Sequence, residues 1–377
     1  VQRGVTLRNR ATHAGSASTR RPTVARMSDT PFAVALELDA DGAHPAAGAA
    51  AAGALRARLL ASRVASAERF GFTAVTFDDA PLPAGDLARL DAVQRAAFVA
   101  PLTSAIGLVP VADTTYSEPF HVATQLASLD WASNGRAGWI AAASGTAREA
   151  AAYGREALSG DELRRERDDV IEVARRLWDS WEDDAVIQDV ATGRYLDADR
   201  LHYVDFEGER FSVKGPLITP RPPQGQLVVV APAGTAGADV ALVSGADPAE
   251  IADAAARARA AGAALVWAEV EVVLDARGVS AARRLSALGP WPEAGLLRYA
   301  GGADGLVALI AGLAASTDGV RLRVAELDVD LEEVGRAVLP ALRERIGFRS
   351  PRAGETLRDA LGLDRPVNRY AAVKEFA

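Results

Sequence analysis

The segment from Tyr116 to Trp139, which reads as a helix followed at once by a buried strand, constrains the fold more than any other part of the chain. Pro119 suits the first turn of a helix, because its missing N–H would have no partner there. Apolar residues then recur at helical spacing as far as Leu129, and Asn134 and Gly135 tolerate the left-handed conformation that ends helices. The next residues, AGWIAAA, are short and apolar enough for a strand buried on both faces. A helix that leads into such a strand is the repeating unit of an α/β fold.

Other parts of the chain repeat this pattern of an apolar run and a helical segment. The further apolar runs are FAVALEL, TAVTF, AIGLVPV, QLVVVAPA, ALVSG, ALVWAEVEVVL and VRLRVAEL. After QLVVVAPA, the small residues AGTAG predict a turn into a helix. About eight strands that alternate with helices predict a closed parallel (β/α)8 TIM barrel, an α/β fold whose sites lie at the carboxyl ends of the strands.

The side chains themselves offer few chemical reagents. The 377 residues include no cysteine, four histidines without metal-ligand spacing, and only two lysines, Lys214 and Lys374. Disulfides, thiolate metal sites and a cysteine nucleophile are therefore excluded, and we predict no metal site. The net charge of −8 argues against a nucleic-acid partner, because phosphate binding needs a concentrated basic face. If the chain is an enzyme, a bound cofactor performs the difficult chemistry.

The two ends and one internal stretch depart from the repeating pattern. Residues 1–26 contain six arginines and no acidic residue, and Met27 is the only methionine, so we interpret Met27 as the natural start and 1–30 as a disordered extension. Residues 31–377 are predicted to form a single barrel domain. Within it, 182–225 are too long and irregular for an ordinary connection and predict an insertion with a hairpin around Glu207 and Gly208, formed by Leu201 to Val204 and Arg210 to Val213. Residues 350–377 are predicted to form a C-terminal arm.

Four longer segments resemble one family of proteins. EPFHVATQLASLDWASNGRAGW, LWDSWEDDA, GRYLDADRLHYVDFEGERFSVKGPLITPRPPQG and TLRDALGLDRPVNRY occur in this order along the chain. They are similar to segments of the flavin-dependent monooxygenases of the bacterial luciferase-like superfamily, in its nitrilotriacetate and dibenzothiophene-sulfone monooxygenase branch. The resemblance extends from Phe32 to Tyr370 and is weaker between Thr235 and Gly319.

This resemblance implies a luciferase-like TIM barrel that binds reduced FMN, which a separate flavin reductase supplies. With O2 as the second substrate, such an enzyme transfers one oxygen atom to a small organic molecule. The resemblance also implies a cytoplasmic homodimer without a membrane segment. Coenzyme F420, used elsewhere in the superfamily, is a less favoured alternative to FMN. No catalytic residue is assigned.

Five residues match cofactor-binding positions of the family. The resemblance implies that Asp79 contacts the flavin ring and that Gly234 and Thr235 hold the phosphate, with weaker support for Asp113 and Arg164. Two structural alternatives stay open. Asp78 and Asp79, the two carboxylates at the carboxyl end of the TAVTF strand, could instead both cap the following loop. Arg164 could belong to a solvated helix face together with the neighbouring Arg165 and Arg167.

The sequence also departs from the family pattern at several flavin contacts. Polar or aromatic groups of the relatives are replaced by Val111, Ile140, Gly160, Arg164 and Ala231. A second hypothesis follows, because a fold can outlive its activity. In this hypothesis the chain is a cofactor-free barrel that acts as a binding or assembly partner of an active homologue.

Overall fold

The computed structural model describes residues 30–47, 56–82, 89–291 and 295–371. Almost all of the predicted N-terminal extension, 1–30, lies outside these ranges. Within them, no helix combines the length and apolar character needed to cross a membrane.

Thirteen strands occur in the described part of the chain, and eight of them form the barrel. The strands are β1 Ala33–Glu37, β2 Ala74–Phe77, β3 Gly107–Asp113, β4 Gly138–Ala142, β5 Val186–Asp189, β6 Arg194–Leu196, β7 Phe206–Glu207, β8 Ser212–Val213, β9 Val228–Pro232, β10 Val240–Val243, β11 Leu265–Leu274, β12 Leu297–Gly301 and β13 Gly319–Val324.

Helices connect most of the barrel strands and cover the outside of the barrel. The α-helices of the described residues are α1 Ala57–Phe70, α2 Ala92–Val99, α3 Pro119–Ala132, α4 Ala147–Ala152, α5 Gly160–Asp179, α6 Pro248–Ala260, α7 Ala281–Leu288, α8 Ala303–Leu313, α9 Leu327–Glu333, α10 Leu339–Ile346 and α11 Leu357–Leu361.

The barrel is closed and entirely parallel, which confirms the predicted (β/α)8 TIM barrel. Its strands pair in the order β1, β2, β3, β4, β9, β10, β11 and β13, and β13 pairs with β1 to close the circle. The sequence pattern did not indicate β12, which pairs with the distal half of β11 beyond the end of β10. This strand is only partly buried, so it lacks the continuous apolar run that marks the barrel strands.

The C-terminal arm closes the amino end of the barrel in the same chain. Leu357 and Leu361 of α11 pack into the barrel interior with Val109, Val228 and Leu265. The predicted arm therefore packs on its own barrel in this structure, because its apolar helix face fills the barrel floor.

The insertion contains two small antiparallel hairpins, β5–β6 and β7–β8. The predicted hairpin exists, but its first strand is Phe206–Glu207 and not Leu201 to Val204, and its turn spans residues 208–211. The sequence pattern did not indicate the β5–β6 hairpin, whose strands are short and mostly exposed.

The connection from β9 to β10 corrects another prediction. No helix follows AGTAG; residues 233–239 form only turns before β10 begins. Gly234 and Gly237 have positive φ angles of 85° and 73°, which a right-handed helix does not allow. The Gly237 carbonyl accepts a hydrogen bond from Arg175 of α5, at 2.9 Å from its Nε, which fixes the turn against the outside of the barrel.

Candidate functional site at the barrel mouth

The candidate site is the mouth of the barrel, where the carboxyl ends of the eight strands meet. Alternate side chains of a barrel strand point inward, so the last inward residue of each strand lines the mouth. On the side of β3, β4 and β10 the inward residues nearest the mouth include Val111, Ile140 and Leu242, which continue the apolar packing of the interior. The last inward residues of β3 and β4 are Asp113 and Ala142, so this half of the mouth is apolar except for Asp113 at its rim.

The opposite half is ionic. Arg321 of β13 donates hydrogen bonds to Glu37 at 2.5 Å, to Glu269 at 2.6 Å and to the Thr76 hydroxyl at 3.0 Å. Arg323 of the same strand also donates to Glu37, at 3.1 Å. Burial disfavours the charged form of Arg321, but the two carboxylates outweigh this effect and raise its pKa. Removing one partner of such a buried cluster would leave a charge uncompensated, so the side chains of this ionic wall depend on one another.

Asp78 completes the ionic half; the sequence placed it at the end of a barrel strand but did not assign it as a cofactor residue. It is the next inward position of the β2 series after Ala74 and Thr76, and its side chain is 38% exposed. Partial burial, together with the nearby carboxylates of Glu37 and Asp39, raises its pKa to about 6. The strict alternation of strand side chains is the signal that would have found it.

Asp79, the predicted contact to the flavin ring, is held by backbone groups. One carboxylate oxygen accepts from the Ala80 N–H at 2.9 Å and the other from the Ala92 N–H at 2.6 Å, at the start of α2. Burial raises the pKa of Asp79 despite these hydrogen bonds. The geometry corresponds to the alternative in which Asp79 caps the following segment.

Asp113 lies at the inward end of β3, opposite Ala142 in the register. One carboxylate oxygen accepts from the backbone N–H groups of Thr115 and Tyr116, at 3.0 and 2.7 Å. Burial raises the pKa of the Asp113 carboxyl. Of the five predicted cofactor residues, Asp113 is the one whose strand position directs it to the mouth.

The structure does not bring Gly234 and Thr235 together with Arg164. The Thr235 hydroxyl and N–H both donate to the Pro232 carbonyl, at 2.6 and 3.2 Å. Arg164 is 59% exposed and paired with Asp161 on α5. The turn that contains Gly234 contacts α5 at Arg175, about three helical turns along the helix from Arg164.

The solvated helix face proposed for the α5 arginines is correct for two of the three. Arg164 and Arg165 are more than half exposed. Arg167 is 9% exposed, because α5 turns this position toward the barrel.

Residues 36–289 match the family model of luciferase-like monooxygenases. The chain belongs to the luciferase-like monooxygenase family. This membership confirms the resemblance found in the sequence, and several of the curated relatives are named monooxygenases.

Two curated relatives and one solved structure locate the chain within the family. A segment of 136 residues is 45% identical to nitrilotriacetate monooxygenase component A of Aminobacter aminovorans, and it covers 36% of this chain and 30% of that protein. A match of 310 residues is 34% identical to one of the subunits of pristinamycin IIA synthase from Streptomyces pristinaespiralis, and it covers 82% of this chain and 90% of that protein. The fold is similar to that of EDTA monooxygenase from Chelativorans sp. BNC1, with a TM-score of 0.72 over 89% of this chain and 99% of that chain.

These similarities support conclusions of different scope. At 23% identity, the likeness to EDTA monooxygenase concerns the fold alone. The match spans about a third of the length of the first curated relatives. The match to the pristinamycin IIA synthase protein extends over nearly the whole of that protein.

Proposed function

We propose that this luciferase-like barrel is the oxygenating component of a flavin-dependent monooxygenase for a small organic substrate, with O2 as the second substrate. Reduced FMN would come from a separate flavin reductase, in keeping with the name "component A" of one relative. When bound, the reduced flavin supplies the activation of O2. Two observations support the proposal: the chain belongs to the luciferase-like monooxygenase family, and its barrel mouth has an apolar side and an ionic side.

The divided lining suits one part of a flavin. The tricyclic ring has an apolar dimethylbenzene edge and a hydrogen-bonding pyrimidine edge. Val111, Ile140 and Leu242 offer an apolar surface on one side, and the ionic wall around Arg321 offers hydrogen-bonding groups on the other. The chain's own task is then to orient the ring and to exclude water from the reacting atoms.

We infer that this barrel does not hold the phosphate of FMN in the way that the resemblance implied. The turn at residues 233–239 does not lead into a helix, so it provides no helix amino end for a phosphate. The hydroxyl and the backbone N–H of Thr235 both donate to the Pro232 carbonyl at the start of that turn. We therefore propose that flavin binding by this barrel depends on the ring and gains little from the phosphate. Asp113 is the proposed side chain near the ring, whereas Asp79 contributes by fixing the loop after β2.

A second candidate function is favoured by the same turn. A barrel without a phosphate cradle could serve as the binding or assembly partner of a homologous barrel that holds the flavin. The long match to a protein named as part of a multi-subunit synthase agrees with this candidate. In that arrangement the chain is one member of a heteromeric monooxygenase. A homodimer would correspond to the first candidate.

An anaerobic titration of the purified chain with reduced FMN separates the two candidates. The first predicts saturable binding of one flavin per chain at micromolar concentrations, and incorporation of 18O from 18O2 into a substrate once the reductase is added. The absence of binding by the chain alone, with binding restored by a co-purified homologous barrel, would establish the second candidate. Deazaflavin F420 serves as the comparison ligand.

A further inference from the structure

Asp78 is an acidic side chain of the barrel mouth that a ligand can reach. It lies two positions after Thr76, whose hydroxyl accepts a hydrogen bond from Arg321 inside the barrel, so both side chains point inward. The carboxyl of Asp78 lies within electrostatic range of Glu37 and Arg321, and its side chain is 38% exposed. A molecule that enters the mouth can therefore contact this carboxylate.

The other acidic side chains of the mouth already have close partners, whereas Asp78 does not. Partners at 2.5 to 3.0 Å are Arg321 for Glu37 and Glu269, Arg89 for Asp39, Arg298 for Glu271, and two backbone N–H groups for Asp113. Among the described residues, the ion-pair partner of Asp78 is Arg89 at 3.6 Å. Arg89 lies closer to Asp39, at 2.8 Å, so it compensates Asp78 only in part.

The charge of the Asp78 carboxylate is therefore incompletely balanced. Partial burial and the carboxylates of Glu37 and Asp39 raise its pKa to about 6, and this effect outweighs the opposite effect of the nearby arginines. The imbalance that disfavours this carboxylate would be relieved by a cation bound beside it. A negatively charged ligand group would be repelled at the same position.

Asp78 also adjoins the apolar side of the mouth. Phe77 is in register with Pro110 of β3, so Asp78 lies beside Val111, the next residue of the neighbouring strand. Neighbouring strands are about 4.8 Å apart, and Val111 belongs to the apolar packing of the interior. A cationic group at Asp78 would therefore place the carbon skeleton attached to it on an apolar surface.

We propose that the substrate of this barrel carries an ammonium group on an apolar carbon skeleton, and that Asp78 binds the ammonium group. Asp78 and the small Ala142 are the outermost inward residues of their strands, so a substrate at the rim leaves the deeper Ile140 and Leu242 to the flavin ring. As a statement about the substrate, this proposal rests on the proposed monooxygenase function. The ammonium site itself requires no flavin.

Binding of three para-fluorinated benzyl compounds, followed by fluorine NMR, tests the proposal with the full chain and without flavin. At about pH 8 fluorobenzylamine is a cation, fluorobenzyl alcohol is neutral and fluorobenzoate is an anion. We expect the amine to bind at least about tenfold more tightly than the alcohol, because hydrogen bonds between charged groups are stronger than neutral ones. Fluorobenzoate should bind more weakly than the alcohol.

Two variants assign the preference to one carboxylate. Asp78→Asn should remove the preference for the amine and leave the affinity for the alcohol unchanged. Asp253→Asn, at an exposed position of α6, makes the same change in net charge and should keep the wild-type preference. Thermal unfolding of both variants verifies that each is folded.

Equal affinities for the amine and the alcohol in the wild type would overturn the proposal, as would an amine preference that Asp78→Asn retains or a failure of all three compounds to bind. The assay contains no flavin, so it is independent of the flavin titration. An Asp78-dependent amine preference in a chain that fails to bind flavin would reject the first candidate function and retain the ammonium site. Flavin binding without an amine preference would reject the ammonium site alone.

Discussion

Asp78 and Asp79 are neighbours in the chain and have opposite surroundings. Asp79 points away from the barrel and accepts two backbone hydrogen bonds, whereas Asp78 faces the mouth beside Glu37 and Asp39. The resemblance pointed to Asp79, because an alignment matches positions in two sequences. It does not show which of two adjacent side chains is bound by backbone N–H groups and which faces the barrel mouth. The consequence of the Asp78 environment is measurable as a pH dependence of stability.

Replacing Asp78 with Asn should flatten the loss of stability between about pH 4 and pH 6. The pKa of Asp78 rises from its usual 3.8 to about 6 in the folded protein, so the folded state binds more protons in this window. Stability therefore falls as pH rises through it, and the cost is complete above about pH 6. Because the side chain is 38% exposed, we discount the effect to about 1 kcal/mol.

Urea unfolding at several pH values from 4 to 7 measures this difference. The control is Asp253→Asn, an exposed position of α6, which should retain the wild-type slope. Buried Asp130, whose pKa burial also raises to about 6, is present in all three proteins and cancels in the comparison. The same pH slope in Asp78→Asn and wild type would contradict the assignment.

The elements differ in how far the sequence could predict them. The barrel strands lie in largely apolar runs, and the pattern identified them, as it did the Pro119-led helix α3. The missing helix after β9 and the extra strand β12 were not predictable in this way. Gly234 and Gly237 are compatible with a helix amino end or with a turn, and only the contact of Gly237 with Arg175 on another element decides between them.

The short helix α11 gives a prediction at this scale. Leu357 is 1% exposed and fills the barrel floor where Gly107 and Gly138 leave room for it; a Cβ on these glycines would lie 2.7 and 3.0 Å from its methyl groups. Leu357→Ala should therefore lower the free energy of unfolding by about 2–4 kcal/mol through lost burial and a residual cavity. Val367→Ala, at a 77% exposed position of the same arm, should change it by less than about 0.5 kcal/mol. Urea denaturation gives both values, and similar losses would show that α11 does not seal the barrel.

For the whole molecule, the alternation of about eight apolar strands with helices predicts a parallel α/β sheet covered on both faces, and the strand count favoured a closed barrel over an open sheet. The function of its mouth could not be predicted in this way. Arg321, Glu37 and Glu269 are far apart in sequence and meet only when β13 closes on β1 and β11. The conformation of the β9–β10 turn is likewise decided by its packing on α5, and our proposal that flavin recognition depends on the ring rests on that turn.

Comparing the dissociation constants of reduced FMN and reduced riboflavin measures how much the phosphate contributes to binding. The two ligands share the ring and differ in the phosphate, so a helix amino end or an arginine at the phosphate would favour FMN. Because Thr235 donates only within its turn and Arg164 is paired with Asp161 at the surface, we expect the two dissociation constants to agree within about threefold. Anaerobic fluorescence titration of the wild type and of Arg164→Ala measures both constants. A preference for FMN above tenfold that Arg164→Ala removes would show that Arg164 leaves Asp161 to bind the phosphate, and would return this barrel to the family's usual mode of flavin recognition.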